Sequence, residues 1–233
     1  MNETVRLTLE WLADPASWTG PGGILVRSLE HLRLSFVSLL VAALVAVPVG
    51  LWVGHTGRLR WLAVNLAGGV RAIPSLGVLF VAVLLLLPRL RGDLAFELPA
   101  LIVLVVLAIP PILSGTYAGV EATDAAARDA ARGMGMTGAQ VLRQVEIPGA
   151  LPLILSGLRA AMLQIIGTAT IAAIVGLGGL GRFLIDGQAS RDYAQMAGGA
   201  LVVAVLALAV DQLLALVGRL AVSPGLRLAA RAQ

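Results

Sequence analysis

The chain has 233 residues, of which 58% are hydrophobic and 13% charged, and its mean hydropathy is +0.92. An average soluble domain carries roughly 25% charged residues, so this composition indicates a membrane protein and argues against an ordinary soluble enzyme. The formal net charge is +4, and all the basic residues in it are arginines because the sequence contains no lysine. A Walker A phosphate loop and a Schiff base both require lysine, so we expect no ATP hydrolysis by this chain itself.

Cysteine and histidine content narrows the possible chemistry further. The absence of cysteine removes disulfides, thiol catalysis and cysteine metal sites, and the two histidines, His31 and His55, are not at ligand spacing from each other or from carboxylates. The arginines are scattered singly at the ends of apolar runs. This distribution is typical of membrane topology rather than nucleic-acid binding.

Five apolar runs follow a polar N-terminal segment of residues 1–30, which we interpret as interfacial. The predicted spans cover residues 34–54, 61–87, 98–118, 151–177 and 197–218, each about the length that a helix needs to cross roughly 30 Å of hydrocarbon. The second run contains Arg71 and Pro74, so it is either one proline-interrupted span or a re-entrant pair. The sequence therefore predicts an all-α integral membrane protein with five transmembrane helices, six being the alternative. Its transmembrane domain covers residues 31–219, and the arginine distribution predicts a cytoplasmic tail at 220–233.

The densest charge in the chain lies in the polar segment 120–149, between the third and fourth predicted spans. Alanine-rich sequence up to Arg132 favours a helix, and the glycines that follow it oppose one. Thr137 with Gln140 forms a predicted capping box, so a second short helix is expected to start there and to end at Pro148. Two short helices around a glycine break, with small residues and methionines on the surface, predict a docking element.

Segment 120–149 also carries a specific spacing. Asp129-Ala130-Ala131 is followed after three residues by Gly135, and after nine more by the sequence Val-Glu-Ile-Pro that ends at Pro148. This run resembles the EAA loop of bacterial ABC importer permeases, Glu-Ala-Ala-x3-Gly-x9-Ile-x-Leu-Pro, with conservative changes at three anchors. The sequences RAIPSLGVL and IIGTATIAAIVGLGGLG are similar to the branch that imports glycine betaine, choline or carnitine.

The resemblance implies the type I ABC importer permease fold, with segment 120–149 as the coupling loop that docks on an ATPase. It also implies two ATPase subunits that use ATP and Mg, a second permease chain that is identical or homologous, and an extracytoplasmic substrate-binding protein. This chain would bind no cofactor itself and would lie in the bacterial inner membrane. The ATPase-coupling residues would be Asp129, Ala130, Ala131, Gly133, Met134, Gly135, Leu142 and Pro148.

Two further segments are candidates for the pathway or its gate. The run Gly176-Leu-Gly-Gly-Leu-Gly181 fits a dinucleotide fingerprint by letter, but a membrane span precedes it instead of a strand. A flexible turn, with or without a gating role, is the interpretation that remains. The broken helix near Pro74 could line a cavity, whereas Arg71 could equally be an interfacial arginine. The candidate residues are Arg71, Pro74, Ser75, Gly176, Gly178, Gly179 and Gly181.

Arg159 and Asp211 are charges inside predicted spans, each costing roughly 2.5–3.5 kcal/mol on insertion scales. They lie at similar depth, so they either form an ion pair or contact water or headgroups separately. Other classes of function remain to be weighed against an osmoprotectant permease. These are a permease for amino acids or another small solute, a stand-alone channel, and an intramembrane enzyme, although no aspartyl pair or serine elbow is present to support the last.

Overall fold

The computed structural model describes residues 3–61, 65, 68–69 and 73–222, and these residues contain helices and turns without any strand. An all-helical backbone is expected for a membrane protein, because a helix satisfies its own N–H and C=O groups where no water is available. The described helices are α1 (Glu3–Ala13), α2 (Pro15–Trp18), α3 (Ile24–Thr56), α4 (Ser75–Leu86), α5 (Leu94–Glu121), α6 (Ala125–Gly133), α7 (Gly138–Val141), α8 (Ile147–Thr168), α9 (Gly181–Ser190) and α10 (Tyr193–Ala221).

Four helical stretches among the described residues are long and apolar enough to cross a membrane. They are α3, α5, α10 and the stretch Gly138–Val175, which contains α7 and α8. Three of them contain a predicted span in full, and Gly138–Val175 contains all but the last two residues of span 151–177. The 33 residues of α3 extend for about 50 Å at 1.5 Å per residue, so its first turns, which carry Arg27, Glu30 and Arg33, extend beyond the hydrocarbon.

The first long helix begins earlier than the sequence predicted. A boundary was expected after residue 30, but α3 already starts at Ile24, whose side chain is buried with Leu180 and Phe183. Arg27 and Glu30 form an (i, i+3) ion pair of 3.0 Å on its first turns, which supports the helix there. The separate N-terminal segment therefore consists of α1, α2 and the turn that follows them.

The second predicted span is interrupted at Pro74. Pro74 has an extended backbone and immediately precedes α4, which has 12 residues and is too short to cross a bilayer by itself. Arg71 lies outside the described residues, as do most of its neighbours from 62 to 72. Among the described residues, this run therefore contributes one shorter apolar helix beside the four long ones.

Pro148 does not end a helix, which corrects the sequence prediction. The helical path continues from α7 through a π-helical turn at Leu142–Glu146 into α8, where Pro148 is the second residue. Proline normally breaks a helix because its ring clashes with the carbonyl four residues earlier and it has no N–H to donate. The wider π turn just before Pro148 relaxes both restrictions, since its hydrogen bonds reach back five residues instead of four.

The chain divides into two compact units, each built from three separate stretches. The first contains the N-terminal part up to Leu39 with Ile73–Val105 and Met162–Val210. Its N-terminal helix α1 is held by Trp11, whose ring meets Phe183 edge-on with centroids 5.3 Å apart.

The second unit contains Val106–Ala161 and two flanking stretches that begin at Leu40 and Asp211. In this unit, glycines at (i, i+4) spacing bring helices into backbone contact. Gly50 and Gly54 of α3 lie so close to Thr116 and Val120 of α5 that a Cβ on either glycine would approach those side chains to 2.7 Å.

A second face of α5, about 100° around the helix from the first, makes a similar contact with α8. A Cβ on Gly115 would lie 2.7 Å from the carbonyl oxygen of Leu153, and one on Gly157 would lie 2.6 Å from that of Pro111. Small residues at this spacing are how membrane helices gain van der Waals contact in the absence of a hydrophobic driving force. The coupling loop begins just beyond this packed region of α5.

Candidate functional site

The coupling loop, residues 120–149, folds as the predicted pair of helices around a glycine break. Asp124 caps α6 by accepting a hydrogen bond of 2.9 Å from the Ala126 N–H. Thr137 starts α7 with the predicted capping box, in which Gln140 Oε1 accepts a hydrogen bond of 2.7 Å from the Thr137 N–H. Between the two helices, Gly135 adopts a left-handed backbone with φ +84°. No atom outside its neighbours lies within 4 Å of a Cβ built there, so glycine serves the bend and not a close approach within the chain.

Most of the predicted coupling residues are exposed in the structure. We call the side of α6 that carries Asp129, Ala130 and Gly133 its outer face. Met134 follows with 74% of its surface exposed, and Gly135 and Pro148 are also exposed, whereas Leu142 is half-buried. Small residues on the outer face allow another backbone to approach closely.

Ala131 departs from this group, because it is buried, with only 2% of its surface exposed. It shares the inner face of α6 with Arg128, three residues earlier, as the helical repeat requires. Ala131 therefore presents no surface to a partner. Val141 of α7 is also fully buried.

A buried carboxylate beneath the loop was not singled out by the sequence analysis. Glu146 is the last residue of the π turn, and its side chain is 1% exposed. Its Oε2 lies 2.5 Å from His55 Nδ1 near the end of α3, and its Oε1 lies 3.8 Å from Arg128 Nη1 of α6. One signal was available in the sequence, since Glu146 is the last charge before the apolar run that leads to Arg159.

The structure brings Arg159 and Asp211 together as a two-point ion pair. Arg159 Nε donates to Asp211 Oδ1 at 3.0 Å, and Arg159 Nη2 donates to Oδ2 at 2.8 Å. This fork matches the planar guanidinium to the carboxylate. The Asp211 side chain is 12% exposed and that of Arg159 is 37% exposed. Asp211 lies within α10 and Arg159 within α8, and both are long apolar helices.

The glycine-rich turn after the helical stretch Gly138–Val175 is held against α3. Gly176 and Gly179 have φ +89° and +90°, a left-handed backbone that favours glycine. The Gly179 N–H donates to Glu30 Oε2 at 2.7 Å. Gly181 packs against the carbonyl of Thr170, where a side chain would not fit.

A cavity of about 230 Å³ opens beside this turn. Its polar lining consists of Glu30, Arg33 and Glu97, with Gly178 at its edge and leucines around them. Arg33 and Glu97 approach each other to 3.5 Å. Pro74 is exposed and Ser75 half-buried, and neither lines this cavity.

Comparison with known proteins identifies the family. Residues 46–222 match the model of the binding-protein-dependent transport system inner membrane component. The glycine betaine/carnitine/choline transport system permease protein OpuCB of Bacillus subtilis (strain 168) is 32% identical over 209 residues, which cover 90% of this chain and 93% of that protein. The osmoprotectant import permease protein OsmW of Salmonella typhimurium is 33% identical over 210 residues, covering 89% and 93%.

Solved structures show the same fold. A chain of the methionine ABC transporter MetNI, in an inward-facing conformation, superposes with a TM-score of 0.75 at 21% identity, covering 86% of this chain and 97% of that one. A chain of an amino acid ABC transporter superposes with a TM-score of 0.66 at 22% identity, covering 84% and 92%. The fold is therefore that of ABC importer permeases, and the protein is a multi-pass component of the inner membrane. The chain belongs to the family of binding-protein-dependent transport system inner membrane components.

Proposed function

We propose that this chain is the permease subunit of an ATP-driven importer for a quaternary-ammonium osmoprotectant such as glycine betaine, choline or carnitine. The observation that carries the proposal is the coupling loop: α6, the left-handed Gly135 and the capped α7 together form a rigid, exposed double helix between α5 and α8. A simple connector between two spans needs neither a capping box nor an exposed face of small residues. Such a face suits insertion of a helix into a groove of a partner protein.

ATP hydrolysis takes place on two partner subunits in this proposal. The whole sequence lacks lysine, so it has no Walker A motif of its own, and the proposal assigns it no cofactor. The partners use ATP and Mg, and the outer face of α6 with Met134 and Gly135 docks on them from the cytoplasmic side. A second permease chain, identical or homologous, and an extracytoplasmic binding protein complete the transporter.

The proposed substrate class rests on the relatives. The names of OpuCB and OsmW refer to glycine betaine, carnitine, choline and osmoprotectants, and both relatives match along most of this chain. Aromatic residues make up only 4% of the sequence, too few for an obvious cation–π cage. Recognition of the quaternary ammonium group therefore falls mainly to the binding protein.

The pathway and its gate are assigned to the broken-helix segment and to the glycine-rich turn. Arg71, Pro74 and Ser75 would line the path, and the turn from Gly176 to Gly181 would move as the gate opens. The left-handed glycines support this role for the turn, and its movement away from α3 would break the hydrogen bond between the Gly179 N–H and Glu30. The adjoining cavity, with charges of both signs, would accommodate a zwitterion.

The test reconstitutes the chain in nanodiscs with its ATPase and binding protein and measures ATP hydrolysis with and without glycine betaine. Wild-type hydrolysis is expected to rise with glycine betaine, and Gly135→Arg is expected to abolish the rise by blocking the docking surface. Stimulation by an amino acid instead would keep the importer and replace the substrate class. A wild-type chain that binds no ATPase would contradict the proposed function.

A further inference from the structure

Glu146 is buried beneath the coupling loop, and one of its two carboxylate oxygens accepts no hydrogen bond from the described residues. Its side chain is 1% exposed, although a carboxylate loses several kcal/mol of hydration in such a site unless partners compensate it. Oε2 is satisfied by His55 at 2.5 Å. Among the residues that the structure describes, no group donates a hydrogen bond to Oε1. Buried polar atoms without a partner are uncommon, so this oxygen calls for an explanation.

Glu146 and the groups around it come from four different segments. His55 lies near the last residue of α3, Arg128 lies on the inner face of α6, and Glu146 itself precedes α8. Thr123, in the turn between α5 and α6, approaches the Glu146 carbonyl oxygen to 3.5 Å through its hydroxyl. The Glu146 carboxylate thus contacts both α3 and α6. Glu146 itself lies in the π turn that leads into α8.

The contact with Arg128 is close but incomplete. Arg128 Nη1 lies 3.8 Å from Oε1, whereas a charge-assisted hydrogen bond between such groups measures about 2.7–2.9 Å. A shift of α6 by about 1 Å toward Glu146 would complete this bond. The Arg128 side chain is 23% exposed and faces inward, so pressure on the outer face of α6 would move it in this direction.

We propose that Glu146 is the positioning residue that carries motion of α6 into α3 and α8, with Arg128 closing on the Glu146 carboxylate when the ATPase presses on the outer face of α6. This inference rests on the proposed function, because it requires a partner that presses on α6. His55 then passes the displacement to α3, and the helical path through Glu146 passes it to α8. Glu146 Oε1 is the atom that accepts the Arg128 hydrogen bond when the ATPase presses on α6.

The experiment compares wild type, Arg128→Gln, Glu146→Gln and the double variant in the complete transporter reconstituted into sealed proteoliposomes. The measured quantity is the number of solute molecules transported per ATP hydrolysed, together with the amount of ATPase that co-purifies. Each single variant is expected to keep its ATPase bound and to lower this ratio on the order of 10-fold, a typical size for coupling between sites. The double variant is expected to be no worse than either single one, because all three remove the same contact.

Glu10→Gln is the matched control. Glu10 also pairs with an arginine, Arg6, at 3.0 Å, but both side chains are more than half exposed and the pair lies in α1, outside the coupling loop. Its transport per ATP is expected to equal that of wild type. A purely structural role for Glu146 would lower assembly and leave the ratio intact in the complexes that form, and that result would overturn the inference.

Two failures are distinguishable in this experiment. If the wild-type chain forms no ATPase complex, the proposed function fails. If Arg128→Gln transports as many solute molecules per ATP as wild type, the inference alone fails. This outcome can be read even if Glu146→Gln does not fold, because Arg128 lies on a helix surface that tolerates glutamine. Losses that multiply in the double variant would also overturn it.

Discussion

Replacing Gly157 with alanine should force α5 and α8 apart. The added Cβ would lie 2.6 Å from the Pro111 carbonyl oxygen, against about 3.3 Å for an ordinary carbon–oxygen contact. The shortfall is about 0.7 Å, and the obstacle is backbone, so no side chain can rotate away. Overpacking typically costs about 1–3 kcal/mol, and we expect the upper part of that range. At about 2–4 °C per kcal/mol, the midpoint of thermal unfolding should fall by about 4–12 °C.

The matched control is Gly167→Ala in the same helix, where no atom lies within 4 Å of the added Cβ. Alanine there should raise the midpoint by a few degrees at most, because it favours the helix by about 1 kcal/mol over glycine. The assay is the temperature at which the purified chain in detergent loses its monodisperse size-exclusion peak. Equal midpoints for both variants would refute the close packing of α5 against α8.

Three further predictions concern named contacts. Asp211→Asn should lower the yield of folded chain because it leaves the Arg159 charge unpaired, at a cost of about 2.5–3.5 kcal/mol. Exchanging the two charges (Arg159→Asp with Asp211→Arg) should restore the yield, and failure to do so would contradict a structural ion pair. Gly135→Ala should reduce the amount of ATPase that co-purifies, because the left-handed backbone costs an L-residue about 1–2 kcal/mol. Gly135→Asn should reduce it less, and an equal reduction in both variants would contradict a role for the left-handed bend. Glu30→Ala should speed hydrogen exchange at the Gly179 amide about 10-fold by mass spectrometry, and unchanged exchange would show that the bond does not hold the turn.

Helix boundaries show where local sequence information ends. The capping box at Thr137 and the bend at Gly135 were both predictable, because each depends on residues within a few positions. The N-terminal segment was expected to extend to residue 30 because polar residues, Glu30 among them, are spread through it. In the structure Glu30 pairs with Arg27, and Ile24 is buried with Leu180 and Phe183, so distant packing extends the helix.

Pro148, Gly115 and Gly119 also show what a local sequence pattern does not reveal. A proline was expected to end the second loop helix, and the π turn that accommodates it could not be seen in the residue pattern. The four-residue spacing of Gly115 and Gly119 is a readable signal for helix contact. Which helix they contact depends on the fold, and here it is α8.

The sequence by itself determined the membrane class, the positions of the long apolar helices and the helix–glycine–helix form of the coupling loop. Those features follow from hydrophobic length against the bilayer and from short-range backbone preferences. Only the tertiary structure decided that Ala131 points inward while Asp129 and Ala130 point outward, and that Glu146, His55 and Arg128 meet. Residues 91 positions apart, such as His55 and Glu146, become neighbours through helix packing, which no local pattern encodes.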